Sequence, residues 1–205
     1  MQARDFKNII FDLGGVIINL DEKRTIRAFA QLSSLPEATI EKSILQFEAY
    51  QLFEKGLIPD DQFRNALREE FKLEAADDEI DRCMNAMLLD IPLERIELLQ
   101  SLTDFSKLLL SNTNAIHFSC FNQIVYKLTG RKTIDPYFDR TYYSHKIHMR
   151  KPDRGIFELI IAENNLIPEE TLFLDDNQIN LEGAKSLGIK TFHVTNPSQL
   201  FELFP

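Results

Sequence analysis

The chain has 205 residues, a formal net charge of −9, 44% apolar and 27% charged residues. That length suits one sizeable domain or a core carrying an insertion, and an acidic balance with no lysine or arginine stripe argues against nucleic acid as a partner. Only Cys83 and Cys120 occur, which excludes a disulfide scaffold and a CxxC metal knuckle, and no apolar run approaches the roughly 18 residues of a membrane span.

In chain order, the polar start "MQARDFKN" leads into a short strand over residues 6–12 rather than into a signal h-region, so a cytoplasmic protein is expected. The stretch "IIFDLGGVIINLD", Ile9 to Asp21, places Asp12 at the end of a buried strand and follows it with Gly14 and Gly15. Residues 22–90 then carry no strand signal and at least four amphipathic helices. Their stripes are Ile26, Phe29 and Ala30; Ile40, Ile44 and Phe47; Phe63, Ala66, Leu67 and Phe71; and Ile80, Cys83, Met84, Met87 and Leu88. Pro36 and Pro59 stand where a helix's first turn tolerates proline, and stripes of this kind are core rather than binding surface. "FEKGLIPDDQF", Phe53 to Phe63, reads as a helix–turn–helix link with Gly56 as C-cap.

The texture then changes. A strand over 107–111 ends in Ser111, Asn112, Thr113 and Asn114, and the helical stretch "FSCFNQIVYKL" follows with Phe118, Phe121, Val125 and Leu128 on its apolar face. A strand over 139–143 precedes "HMRKPD", which holds Arg150 and Lys151 ahead of Pro152; the HxxH of His145 and His148 reads as exposed loop rather than metal site. A helix capped by Asp153 follows, then a strand over 171–175 ending in Asp175 and Asp176, with Asn180 one helical turn on. "NLEGAKSLGI" closes at Gly188, and 190–194 is the last strand. Strand alternating with helix implies right-handed crossovers. The expected fold is therefore α/β, a Rossmann-like doubly wound, mostly parallel sheet carrying an inserted α-helical cap, with residues 1–17 and 92–205 as core and 18–91 as cap. Cys83 and Cys120 are expected as small buried side chains.

Open parallel sheets bind ligands beyond the carboxyl ends of their strands. Asp12, Ser111, Lys151 and Asp176 all fall at such ends. Each has a bland reading taken alone: loop cap, turn former, solvated charge, helix N-cap. Together they bring carboxylates, a hydroxyl, amides and an ammonium to one edge. Adjacent buried carboxylates are costly. A hard divalent cation with oxygen ligands removes that conflict, and Mg²⁺ fits such a donor set best.

The order FDLGGV, LSNTN, RKP, LDDNQIN resembles the four motifs of the haloacid dehalogenase (HAD) superfamily, in the group with a helical cap after the first motif. It is similar to small sugar-phosphate phosphatases such as bacterial α-glucose-1-phosphate phosphatases, and its LDD motif resembles the phosphatase domain of soluble epoxide hydrolases. The resemblance implies Asp12 as a nucleophile that becomes an aspartyl phosphate. It implies Mg²⁺ held by Asp12, the Gly14 carbonyl and Asp176, with Asp175 and Asn180 orienting that shell. Ser111 and the Asn112 amide would grip a phosphoryl oxygen, and Lys151 would neutralise nucleophile and transferring group. The partner implied is a small phosphorylated metabolite, handled by a monomer or weak homodimer. One departure matters: the family's usual second aspartate, two residues after the first, is Gly14 here. A missing general acid costs most with poor leaving groups, so sugar 1-phosphates or similarly activated esters are expected to be preferred over simple alkyl phosphates. A 2-haloacid dehalogenase and a non-catalytic protein on the same fold are the alternatives; the acidic pair Asp175–Asp176 argues for a cation against the first, and the intact nucleophile and lysine against the second.

Overall fold

The computed structural model describes residues 3–205, so the first two residues of the polar leader lie outside it. All five expected strands are present, with small shifts at their ends: β1 Asn8–Phe11, β2 Ser106–Ser111, β3 Arg140–Tyr143, β4 Thr171–Asp175 and β5 Lys190–His193. They form one parallel sheet in the order β3-β2-β1-β4-β5. The chain builds outward from β1 through β2 to β3, then crosses to the other side of β1 for β4 and β5. Such a reversal opens a crevice at the strands' carboxyl ends.

The central strands are apolar on both faces, as buried parallel strands must be. Ile9, Phe11, Leu109, Leu172 and Leu174 join one core cluster. It is roofed by α6 (Leu93–Ser101), α7 (Ala115–Thr129) and α11 (Gln199–Leu203). Their neighbours Ile10, Leu108, Leu110 and Phe173 point the other way, against α9 (Arg154–Asn164) and α10 (Gln178–Lys185). The period-2 alternation of strand side chains therefore builds a three-layer sandwich.

Between β1 and α6 lie five helices: α1 Glu22–Leu32, α2 Glu37–Gln46, α3 Glu48–Glu54, α4 Asp60–Phe71 and α5 Asp77–Asn85. They enclose a core of their own around Phe29, Ile40, Phe53, Phe63, Phe71 and Ile80, to which Ile116 of α7 also belongs. A bidentate Arg64–Asp81 pair at 2.8 Å ties α4 to α5.

Several local expectations are corrected. Pro36 and Pro59 are N-cap residues in extended backbone, one position before the first helical turn, where the missing N–H again costs nothing. Asp153 is an N-cap without a side-chain capping bond, because its carboxylate pairs with Lys55 at 3.0 Å. Gly188 is left-handed at φ 86° but lies beyond the C-cap Ser186 of α10, and its N–H reaches back to Lys185. Gly56 stands one residue past the C-cap Lys55 of α3, at φ 63°. Met87 and Leu88 fall after α5 has ended rather than on its stripe. Cys83 is buried while Cys120 is only half-buried. His145 sits in a short helix, α8 Ser144–Ile147, and is half-buried rather than exposed.

Candidate active site

Asp12 follows β1 directly, and its N–H still pairs with Leu174 of β4, so the strand register dictates where its carboxylate stands. Leu13 N–H donates to Asp12 Oδ1 at 2.7 Å. The loop behind it doubles back, with Ile17 and Ile18 N–H both donating to the Leu13 carbonyl. Buried Arg95 of α6 staples that loop from outside, donating to the Ile17 carbonyl and to Asn19 Oδ1. Gly15 is the glycine the geometry demands. Its φ is 64°, and a Cβ there would lie 2.1 Å from Asp176 Oδ2. At Gly14 a Cβ would meet only the tip of Leu20, a flexible neighbour.

Lys151 is 1% exposed and its three ammonium protons are all placed. It donates to the Leu110 carbonyl at 2.9 Å, to Asp175 Oδ2 at 2.7 Å and to Asp12 Oδ1 at 2.9 Å. Burial alone would lower this ammonium's pKa, but Asp12 and Asp175 together outweigh burial and hold it above its ordinary value. Its backbone is gripped from both sides by one side chain: Asn112 Nδ2 donates to the Lys151 carbonyl at 2.9 Å, and Lys151 N–H donates to Asn112 Oδ1 at 2.8 Å. The Asn112 side-chain amide is thus spent on positioning Lys151.

Asp175 is fully buried and accepts, besides Lys151, the N–H of Asn177 at 2.7 Å and both of its oxygens receive Asn180 Nδ2 at 3.1 Å. Asp176, the next residue, is exposed. Carboxylate oxygens of Asp12, Asp175 and Asp176 lie within 4.8 Å of one another. Burial pushes Asp12 up to about 8 despite the opposing Lys151, with Asp175 adding to the rise; burial and then Asp175 push Asp176 up to about 6. A divalent cation inverts this balance by favouring all three ionised forms. The donor set is hard, oxygen-only and short of positive charge, so it fits a cation such as Mg²⁺.

Ser111 is buried at the end of β2, and the segment after it is held by Ser144, whose hydroxyl accepts from Thr113 N–H and donates to the Thr113 carbonyl. Asn114 then caps α7, its side chain accepting from His117 N–H. Asp12, Gly14, Ser111, Asn112, Asp176 and Asn180 all border one cavity of about 800 Å³, whose far wall comes from α1, α2, α3 and the segment around α5. Every site residue expected from the sequence therefore converges on one place. The helical stripes do double duty, since Ile26, Ile44, Phe47 and Met84 border the cavity as well as packing into the helices' core.

Two buried ionisable residues of this cavity escaped sequence reasoning. Glu54, at the end of α3, receives Arg150 Nε and Nη2 at 3.0 and 2.9 Å, and burial raises its carboxyl against that pairing. His117, on the first turn of α7, holds its Nδ1 3.1 Å from Asn85 Oδ1. Its position three residues after the capping Asn114 was the only available signal, and that spacing by itself is ordinary.

A sequence profile of the haloacid dehalogenase-like hydrolases matches residues 6–188. The chain belongs to that HAD family. Three relatives match over nearly the whole length of both chains. The D-ribitol-5-phosphate phosphatase of Bacteroides thetaiotaomicron is 31% identical over 93% of this chain and 92% of its own. A HAD family enzyme of the same organism, solved with magnesium and inorganic phosphate, superposes with a TM-score of 0.80 at 37% identity, covering 92% of this chain and 93% of the other. A HAD-like hydrolase structure from Porphyromonas gingivalis gives a TM-score of 0.82 at 32% identity over 92% and 90% of the two chains. The sheet with its flanking helices is thus a HAD-like, Rossmann-type fold, and the protein is a hydrolase of the HAD family. Among the described residues no helix is long and apolar enough to cross a membrane.

Proposed function

We propose that this HAD hydrolase is a Mg²⁺-dependent phosphatase that cleaves a small phosphorylated carbohydrate through an aspartyl phosphate on Asp12. One observation carries the reading: a wholly buried lysine clamped between Asp12 and Asp175, with Asp176 beside them, where Asp12 and Asp176 border a cavity large enough for a sugar phosphate. The magnesium and phosphate bound by the similar HAD enzyme support it.

Asp12, the Gly14 carbonyl and Asp176 would hold Mg²⁺, which supplies charge neutralisation for the transferring phosphoryl group. Asp175 and Asn180 hold that shell in place. An Asp12 oxygen forms the new bond to phosphorus as the bond to the leaving oxygen breaks, and water then releases phosphate and regenerates the carboxylate. Lys151 keeps Asp12 oriented and its charge offsets the phosphoryl oxygens, while Ser111 and the Asn112 backbone amide bind one of them. Gly14 supplies no proton, so activated esters such as sugar 1-phosphates suit the site; the relative's D-ribitol 5-phosphate, by contrast, carries a primary-alkyl leaving group. The two alternatives differ in leaving-group pKa, and a flat kcat/KM profile across leaving groups would remove the sugar 1-phosphate preference. Residues 18–91 act as the cap, consistent with their separate core, and 1–17 with 92–205 as the catalytic unit. The enzyme's partner is a small phosphorylated metabolite, handled by a monomer or weak homodimer, and its two distant cysteines suit the cytoplasm.

The test is a screen of phosphorylated metabolites with Mg²⁺, repeated with EDTA and with Asp12→Asn as blank. Turnover that vanishes in both controls is expected, and equal turnover by Asp12→Asn would refute the nucleophile assignment.

A further inference from the structure

Helices α1, α2 and α3 bring three carboxylates to the cavity. Glu22 and Glu41 are exposed, whereas Glu54, at the end of α3, is buried. An exposed carboxylate keeps its water and discriminates little between ligands; a buried one has given most of that water up. Glu54 has committed one oxygen only. Arg150 Nε and Nη2 both converge on Oε2, at 3.0 and 2.9 Å, and Oε1 has no hydrogen-bond partner among the described residues. Fully buried side-chain atoms without a partner are confined there to Asn114, His117 and His145, so the unpaired Glu54 oxygen keeps accessible surface. The side chain is 10% exposed and borders the cavity. Tyr50, one turn earlier on α3, borders it too; burial and then Glu54 hold its phenol above the ordinary value, so it stays a neutral hydroxyl. Largely buried polar atoms are met almost without exception in folded proteins, so an open one on a cavity wall marks where a ligand's polar group belongs.

We propose that Glu54 sets specificity: its free Oε1 hydrogen-bonds a hydroxyl on the alcohol portion of the substrate, so the site selects phosphate esters of polyols or sugars over those of unsubstituted alcohols. The inference rests on the phosphatase reading and deepens it. Arg150 grips the other oxygen of Glu54 and immediately precedes Lys151, whose ammonium pairs with Asp12. Oε1 is thereby fixed relative to the phosphate end of the cavity. A hydroxyl both donates and accepts, so it satisfies Oε1 whether or not the carboxyl carries a proton, and a hydrocarbon chain satisfies it in neither state. Seating such a chain strips the remaining water from Glu54 and replaces it with nothing, a difference worth roughly 10- to 100-fold in discrimination.

The experiment measures kcat/KM with Mg²⁺ on two matched pairs: D-ribitol 5-phosphate against pentyl phosphate, and D-glucose 6-phosphate against cyclohexylmethyl phosphate. Every ester here has a primary-alkyl leaving group, so each pair differs chiefly in its hydroxyls. The wild-type protein is expected to prefer the hydroxylated member of at least one pair by about 10-fold or more. In Glu54→Met that preference should fall about 10- to 100-fold, chiefly through KM. A purely structural role for Glu54 would slow both members of a pair alike and leave their ratio unchanged. Should Glu54→Met fail to fold, Glu54→Met with Arg150→Met replaces the ion pair by an apolar one and carries the same expectation. A ratio within about twofold of wild type in the folded variant overturns the inference. So does a wild-type protein that cleaves p-nitrophenyl phosphate yet prefers the hydroxylated member of neither pair. Absence of wild-type turnover on all of these esters, p-nitrophenyl phosphate included, would strike the phosphatase reading itself.

Discussion

At the scale of single residues, charge neutralisation in the site depends on keeping a buried lysine both ionised and still. Lys151 stays ionised because two carboxylates face it, and still because Asn112 holds its backbone through both N–H and carbonyl. Gly15 has the least freedom to change. Alanine there must adopt a left-handed backbone, at about 1–2 kcal/mol, and its methyl would drive Asp176 out of place. Gly15→Ala is expected to raise the Mg²⁺ concentration needed for half-maximal rate about 10- to 100-fold, as lost positioning of a ligand does elsewhere; an Mg²⁺ titration of phosphatase activity checks it. Asp12, Ser111 and Asp176 were legible in the sequence because each follows an apolar run whose end marks a strand tip; Lys151 was legible from its RKP motif, since α8 separates it from the tip of β3. Glu54 and His117 were not. Glu54 finds Arg150 at a separation of 96 residues, and nothing local to either announces the other.

At the scale of elements, the helices of 22–90 meet the sheet unit where α5 lies against α7 and again through one turn. The end of α3 and the turn behind it lie against α8 and the segment leading to Lys151. Glu54 pairs with Arg150, Lys55 with Asp153, His148 Nδ1 lies 2.8 Å from the Lys55 carbonyl, and a Cβ on Gly56 would strike the His145 carbonyl at 2.1 Å. This latch ties the cavity's far wall to the backbone that bears Lys151. Arg150→Met would leave Glu54 buried without its partner and is expected to cost about 3 kcal/mol in denaturant unfolding. Adding Glu54→Gln to Arg150→Met should recover a large part of that loss, which a double-mutant cycle measures directly. The existence of the helices was legible from their 3.6-residue stripes. Their meeting with the sheet was not, because the stripes report only that a face is covered and not by what.

At the scale of the whole molecule, three carboxylates gather beyond the strands' carboxyl ends, and burial keeps two histidines, His117 and His145, neutral. Mg²⁺ bound only by the folded form adds stability by mass action, about 2.7 kcal/mol at one hundred times its Kd, so thermal unfolding with and without EDTA should separate widely. Acid acts in the opposite sense. Burial lowers both His117 and His145 to about 4, below the usual histidine value near 6.5, so the unfolded chain takes up protons there before the folded one does. The stability these groups contribute is complete above pH 6.5 and is lost as pH falls toward 4, with His117 accounting for about 1–2 kcal/mol between pH 7 and 5. His117→Gln, which does not titrate, should flatten that part of the profile in urea unfolding measured across pH. The alternation of strands and helices, the insertion after the first strand and the strand-tip residues were determined by the sequence alone, because periodicity and chain order are local properties that register at every position. What only tertiary structure decided is which polar groups end up facing one another: that Asn112 serves Lys151, that Gly15 rather than Gly14 makes room for Asp176, and that Glu54 finds Arg150. Those outcomes follow from close packing of elements distant in the chain, where a shift of an ångström decides whether a buried atom finds a partner.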